Sequence, residues 1–223
     1  MKLYGKLFEL VEDFENLLTA VQEGRTPAYL SGVSQVHKAH LYVGMQEKLG
    51  KPALILTSDE LAARRLCEDL NSMAGENAAV LFPARDFTFR SVDSVSREYE
   101  QARISVLSKI RAGQCPFVVA SVEAAMQHTI PAEVLLERSV VLSQAREISM
   151  QAIVKILVRA GYVRRPQVEG VAQFSVRGGI LDFYPPDYAF PVRMEFWGNE
   201  IDTISLFDLE TQRRTDSVEE VHI

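Results

Sequence analysis

Cysteine is scarce: 223 residues contain only Cys67 and Cys115, far apart and read in a helical and a strand context. A disulfide framework is thereby excluded, and two buried free thiols in a reducing compartment are expected. Long apolar runs are missing as well, since none approaches the roughly 20 residues that a membrane span requires. The opening residues, Met1-Lys2-Leu3-Tyr4-Gly5-Lys6, lack the basic segment and apolar block of a secretion signal. A cytoplasmic protein with no membrane partner is expected. Positive charge is in deficit, with 24 Lys and Arg against 30 Asp and Glu and a net charge of −6 spread evenly along the chain. Neither half is a basic footprint that counterion release would reward, so direct DNA binding is not supported.

Catalytic signatures are also lacking. His37, His40, His128 and His222 make no HExxH or paired metal spacing, and no cysteine accompanies them. His37 and His40 are three apart, but two imidazoles without a third ligand make a poor site. No serine sits in a G-x-S-x-G elbow, and nothing marks a pair of carboxylates as catalytic. No metal and no cofactor are expected.

What is there is an ordinary globular composition, 47% apolar and 24% charged, long enough for one large domain or two small ones. Leu3, Leu7, Leu10, Val11, Phe14, Leu17, Leu18 and Val21 follow helical spacing, so residues 3–22 read as an amphipathic helix ended by Gly24. Then come a strand at Pro27–Ser31, a helix over 34–49, and a strand at Ala53–Leu56. A helix at Asp59–Met73, a strand at Ala79–Phe82, a helix over 95–111 and a strand at Phe117–Ala120 follow. Thr57-Ser58-Asp59 suits a helix entrance, because a short polar side chain caps free amides. Alternating buried strands and helices imply a parallel sheet covered by helices.

The pattern changes near 127–132. A strand at Ser139–Leu142 and a helix at Ser149–Ala160 lead into four short strands joined by hairpin turns, an α+β unit. Val192, Met194 and Phe196 alternate with Arg193, Glu195 and Trp197, as in a half-buried strand. Gly178-Gly179 and Gly198-Asn199 supply turn residues, and Pro185-Pro186 stops the pairing. The expected division is 1–126, 127–213 and 214–223, with the last stretch alternating like a strand that begins and stops.

Between Arg159 and Arg177 the arginines Arg159, Arg164, Arg165 and Arg177 meet a single acid, Glu169. Tyr162, Phe174, Phe183 and Tyr184 are interleaved with them. Arginine beside aromatics is the composition of protein–protein hot spots. Arg177 should project from the strand face opposite Phe174 and Val176. A plainer reading stays open: Arg164 and Arg165 solvated after a helix, and Phe174, Phe183 and Tyr184 in the core.

The run Arg177-Gly178-Gly179-Ile180-Leu181-Asp182-Phe183-Tyr184-Pro185-Pro186, with Arg193-Met194-Glu195-Phe196-Trp197-Gly198-Asn199-Glu200-Ile201 and Phe207-Asp208, resembles the bacterial transcription-repair coupling factors (Mfd). More loosely it is similar to the excision nuclease B subunit (UvrB). The resemblance implies a docking surface for the excision nuclease A subunit (UvrA), with Arg164, Arg165, Phe174, Arg177, Phe183 and Tyr184 as candidate contacts. Arg177 matches the shared motif's arginine, and Arg164 falls near a family arginine after the same helix. Ser175 stands where the B subunit has a further arginine, so that contact is absent or replaced. The resemblance also implies that 214–223 begins a strand returning to the first lobe. RNA polymerase and double-stranded DNA would be partners of a full-length protein, through regions outside these residues.

Leu30 to His40 lies where a phosphate loop would stand. Gly32 and Lys38 occupy the first glycine and the lysine of G-x-x-x-x-G-K-[ST], but His37 replaces the second glycine and Ala39 the hydroxyl residue. A side chain obstructs the close backbone approach to phosphate, and a methyl group cannot hold Mg²⁺. A plain strand–turn–helix fits the same residues. The resemblance implies a degenerate helicase-like lobe, and either reading predicts no ATP hydrolysis. The expected fold class is α/β: a degenerate, P-loop-derived parallel-sheet lobe, then a small α+β domain with an antiparallel hairpin sheet. The B subunit's long aromatic hairpin has no room after Phe82. Phe87 and Phe89 suit either base stacking or packing on the core. Rival functions are a nucleotide-binding ATPase lobe or the B subunit itself.

Overall fold

The computed structural model describes residues 12–85 and 98–223. The start of the expected first helix, Phe87, Phe89 and the start of the helix near Val95 lie outside the described residues. The chain divides into two compact units, residues 1–127 and 128–223.

In the first unit β1 (Ala53–Thr57), β2 (Ala79–Phe82) and β3 (Phe117–Ser121) form a parallel sheet in the order β1-β3-β2. Its helices are α1 (Glu12–Gln22), α2 (Gln35–Leu49), α3 (Glu60–Ala74), α4 (Glu98–Arg111) and α5 (Val122–Met126). Strand alternation sorts the core onto the two faces. Ile55, Phe117 and Val119 meet Ala39 and Val43 of α2 and Ala63, Cys67 and Leu70 of α3. Val80, Phe82, Val118 and Ala120 meet Val106 of α4 and Ala124 of α5. Helix α3 begins at Asp59, whose carboxylate accepts the Ala62 N–H at 2.8 Å. At its other end the Asn71 amide bonds both the N–H and the carbonyl of Ala79, at 2.8 and 3.0 Å, and so fixes β2 against the helix. Both cysteines are free and buried, and burial pushes their thiol pKa values up.

Pro27–Ser31 departs from the expected strand. It is exposed, unpaired backbone, with Tyr29 92% exposed. A short apolar stretch becomes a strand only when a neighbour completes its ladder, and among the described residues the parallel sheet pairs only β1, β3 and β2.

The second unit contains α6 (Ala132–Arg138), β4 (Val141–Ser143), α7 (Met150–Arg159), β5 (Val163–Arg164), β6 (Gln173–Arg177), β7 (Ile180–Phe183), β8 (Val192–Trp197), β9 (Glu200–Phe207), β10 (Arg214–Ser217) and β11 (Glu220–His222). The six-stranded sheet runs β10-β9-β8-β7-β6-β5, antiparallel except for the parallel β5–β6 pair. Helix α7, capped by Ser149, sets Ile153 and Leu157 against Phe174, Leu181, Phe183, Met194 and Ile204. The hairpin β8–β9 turns through Gly198 at φ +64, a left-handed conformation that costs glycine little.

Residues 214–223 correct the expectation of a boundary near 213 and a strand returning to the first lobe. Arg214 pairs with Phe207, and β11 pairs with β4 in a separate two-stranded sheet. Val221 is fully buried in the same core as Leu142, so these residues complete the second unit.

Candidate partner-binding site

The six-stranded sheet has two unlike faces. Phe174 and Val176 on β6, Leu181 and Phe183 on β7, and Val192, Met194 and Phe196 on β8 turn toward α7. Ser175, Arg177, Asp182, Arg193 and Glu195 alternate with them and share the other face.

That second face is organised by one carboxylate. Asp182 is 1% exposed and accepts three hydrogen bonds: Arg193 Nε to Oδ1 at 2.7 Å, Arg193 Nη2 to Oδ2 at 2.9 Å, and Arg177 Nη2 to Oδ2 at 2.7 Å. Arg193 is itself enclosed. Its guanidinium lies 4.6 Å from the Phe207 ring centroid, and Nη1 donates to the Gln212 carbonyl at 3.1 Å. The bonds to Asp182 raise the Arg193 pKa above its ordinary value. Arg177, by contrast, keeps 49% of its side chain exposed. Glu195 pairs with Arg214 and accepts the Thr203 hydroxyl at 3.4 Å. Three arginines thus meet two carboxylates in this cluster, and Arg177 keeps half of its side chain at the surface.

The candidate residues separate accordingly. Arg164 and Arg165 are exposed at the β5 edge, where the Arg165 N–H donates to the Phe174 carbonyl at 2.8 Å. Ser175 is buried, and its hydroxyl donates to the Pro166 carbonyl at 2.8 Å, tying the segment after Arg165 to β6. Tyr184 is half-buried and donates to the Ala189 carbonyl. Phe174 and Phe183 are corrections: at 1% and 0% exposure they are core, opposite each other in the β6–β7 register, and no partner can touch them. Tyr162 is core too, and burial drives its hydroxyl pKa far up. Asp182 and Arg193 were not singled out from sequence. Their outward alternation was readable, but their pairing depends on the β7–β8 register across the Tyr184–Pro191 loop.

The family model for the UvrB interaction domain matches residues 140–223. The chain is similar to transcription-repair-coupling factors: 27% identical over 212 residues to that of Bacillus subtilis and 30% over 213 to that of Myxococcus xanthus. UvrABC system protein B of Thermosipho africanus matches at 29% over 210 residues. These alignments cover 95%, 92% and 88% of this chain but only 18%, 17% and 32% of the relatives. The chain therefore spans a minor part of each relative's length.

The matched residues include Arg164, Arg165, Arg177 and the Asp182 cluster. The phosphate-loop candidates fall outside them. Gly32 lies in exposed backbone at φ +79, and His37, Lys38 and Ala39 belong to the first turns of α2. The His37 ring hydrogen-bonds the Ser34 hydroxyl at 2.9 Å, and Ala39 is fully buried against the sheet. Lys38 lines an open cavity of about 450 Å³ with Thr57, Ser58, Arg65 and Asp69. Among the described residues no group of three or more His, Cys, Asp or Glu side chains is placed to hold a metal ion, and no helix is long and apolar enough to cross a membrane.

Proposed function

We propose that this chain is a non-catalytic docking module whose UvrB interaction domain binds the excision nuclease A subunit (UvrA) and recruits it to stalled transcription complexes during nucleotide excision repair. The observation that carries this reading is Arg177: a half-exposed guanidinium held in place by a buried carboxylate, inside a domain of interaction type. A preset planar donor loses little side-chain freedom when it meets a partner's carboxylate. Arg164, Arg165 and the half-buried Tyr184 extend the contact surface along the β5 edge. The names of the relatives, coupling factors and a UvrABC component, support a repair role.

Residues 1–126 are read as a helicase-like lobe with an idle, degenerate ATP site. Its support is chemical: a histidine stands where close phosphate approach needs glycine, and a buried alanine stands where Mg²⁺ needs a hydroxyl. RNA polymerase and double-stranded DNA belong to other parts of a longer protein of this kind. The test is calorimetric titration of the 223-residue chain with purified UvrA. A saturable complex is expected; no heat and no co-elution would overturn the reading.

A further inference from the structure

We propose that Trp197 is the apolar centre of the docking face whose cationic contact is Arg177, so that UvrA meets both residues with one surface, a carboxylate on Arg177 and an apolar cleft or side chain on the indole. This rests on the docking reading above and adds a residue to it.

Trp197 is the only tryptophan of the chain and is 84% exposed. It stands outside the core that Phe196, its neighbour, helps to cover. Its cross-strand partner is Glu200, which is exposed, and the next residue is the turn glycine Gly198. No apolar neighbour on the hairpin therefore explains an indole there, and a polar residue would serve the turn equally well. Tryptophan is the residue type most concentrated in binding hot spots, because it offers a large rigid area at small entropic cost.

Position links it to Arg177. Alternation along β8 puts Trp197 on the face of Arg193 and Glu195, which the Asp182 bonds identify as the face of Arg177. The Phe196 N–H donates to the Gly179 carbonyl at 2.9 Å, so the Gly178-Gly179 turn that follows Arg177 lies alongside the strand end carrying Trp197. A Cβ on Gly179 would sit 3.3 Å from the Phe196 carbonyl, a measure of how close the two segments run. Arg193 meets Asp182 and Arg214 meets Glu195, while Arg177 keeps half of its side chain exposed on the face of the ring, so a partner carrying a carboxylate beside an apolar cleft fits there.

The test exploits the single tryptophan. The full chain is labelled with 5-fluorotryptophan, giving one ¹⁹F resonance, and titrated with unlabelled UvrA. The expected result is a shift or broadening of that resonance on complex formation, with Trp197→Ala weakening binding by about tenfold or more while the thermal midpoint stays unchanged. A complex that forms with the resonance unmoved, or a Trp197→Ala chain that binds as tightly as the parent, overturns the assignment of Trp197 and leaves the docking function standing. If the unlabelled parent forms no complex, the docking function falls, and this inference with it.

Discussion

Arg193 grips Asp182 across the β7–β8 pair with two near-parallel bonds of 2.7 and 2.9 Å, and Arg177 reaches the same carboxylate from β6 at 2.7 Å. The three side chains form a fixed unit, yet they differ in access: 1% of the Asp182 side chain, 12% of Arg193 and 49% of Arg177 are exposed. Folding and docking should therefore separate within one cluster.

Asp182→Ala leaves a largely buried guanidinium without its counter-charge. Removing one partner of such a pair costs about 3–5 kcal/mol. Arg177→Ala leaves Asp182 still paired with Arg193 and should cost folding under about 1 kcal/mol, as for a solvent-screened pair. Urea unfolding of the two variants checks the contrast; equal losses would contradict the division of labour between the arginines.

Phe174 and Phe183 are expected to act on folding alone. Each fills the core under α7, and replacement by alanine should destabilise by about 3–5 kcal/mol. Phe174→Leu, which keeps most of the volume, should fold and retain UvrA affinity. A folded Phe174→Leu chain with lost affinity would return Phe174 to the contact surface.

The alternation of Val192, Met194 and Phe196 with Arg193, Glu195 and Trp197 was legible because one sheet face is buried and the other is not. The cap at Asp59 was legible for an equally local reason. Pro27–Ser31 was misread because strand formation depends on a ladder partner, which no window of sequence contains. Phe174 and Phe183 were misread on composition: aromatics beside arginine suit a hot spot, but here the strand period sends rings and cations to opposite faces. Strands β5 and β10 were missed because pairing across chain separation, such as Arg165 to Phe174, defines them rather than pattern. The Asp182 cluster joins three strands and needed their register.

Arg103 is the comparable device in the first unit. Its guanidinium lies 4.0 Å from the Phe82 ring centroid and donates to the carbonyls of Pro83 at 2.7 Å and Ala124 at 3.2 Å, and burial lowers its pKa. Lysine cannot reproduce a planar fork serving several acceptors. Arg103→Lys should destabilise by about 1–3 kcal/mol in denaturant unfolding; an unchanged midpoint would show the carbonyls to be satisfied otherwise.

Acid should weaken the fold through Asp59 and Asp208. The Ala62 N–H and the Ser58 hydroxyl hold Asp59 below its ordinary 3.8, and the Thr211 N–H and hydroxyl do the same for Asp208. A lowered folded-state pKa contributes stability that is present above 3.8 and lost as pH falls through the folded value. Asp59→Asn keeps a capping oxygen but cannot titrate, so its unfolding midpoint should fall less steeply than the parent's below pH 3.8. Parallel curves would remove Asp59 from the account.

Mg-ATP should leave the thermal midpoint unchanged. Binding at 100 times the dissociation constant would add about 2.7 kcal/mol of stability and raise the midpoint measurably. Such a rise, abolished by Lys38→Ala, would mean that the cavity beside Lys38 takes nucleotide.

Docking through Arg177 is tested most directly by isothermal titration of UvrA with the parent chain and with Arg177→Ala, side by side at one salt concentration. The expected loss is about 1–3 kcal/mol of binding free energy, with folding stability lowered by less than about 1 kcal/mol. Equal affinities for the two chains would contradict it.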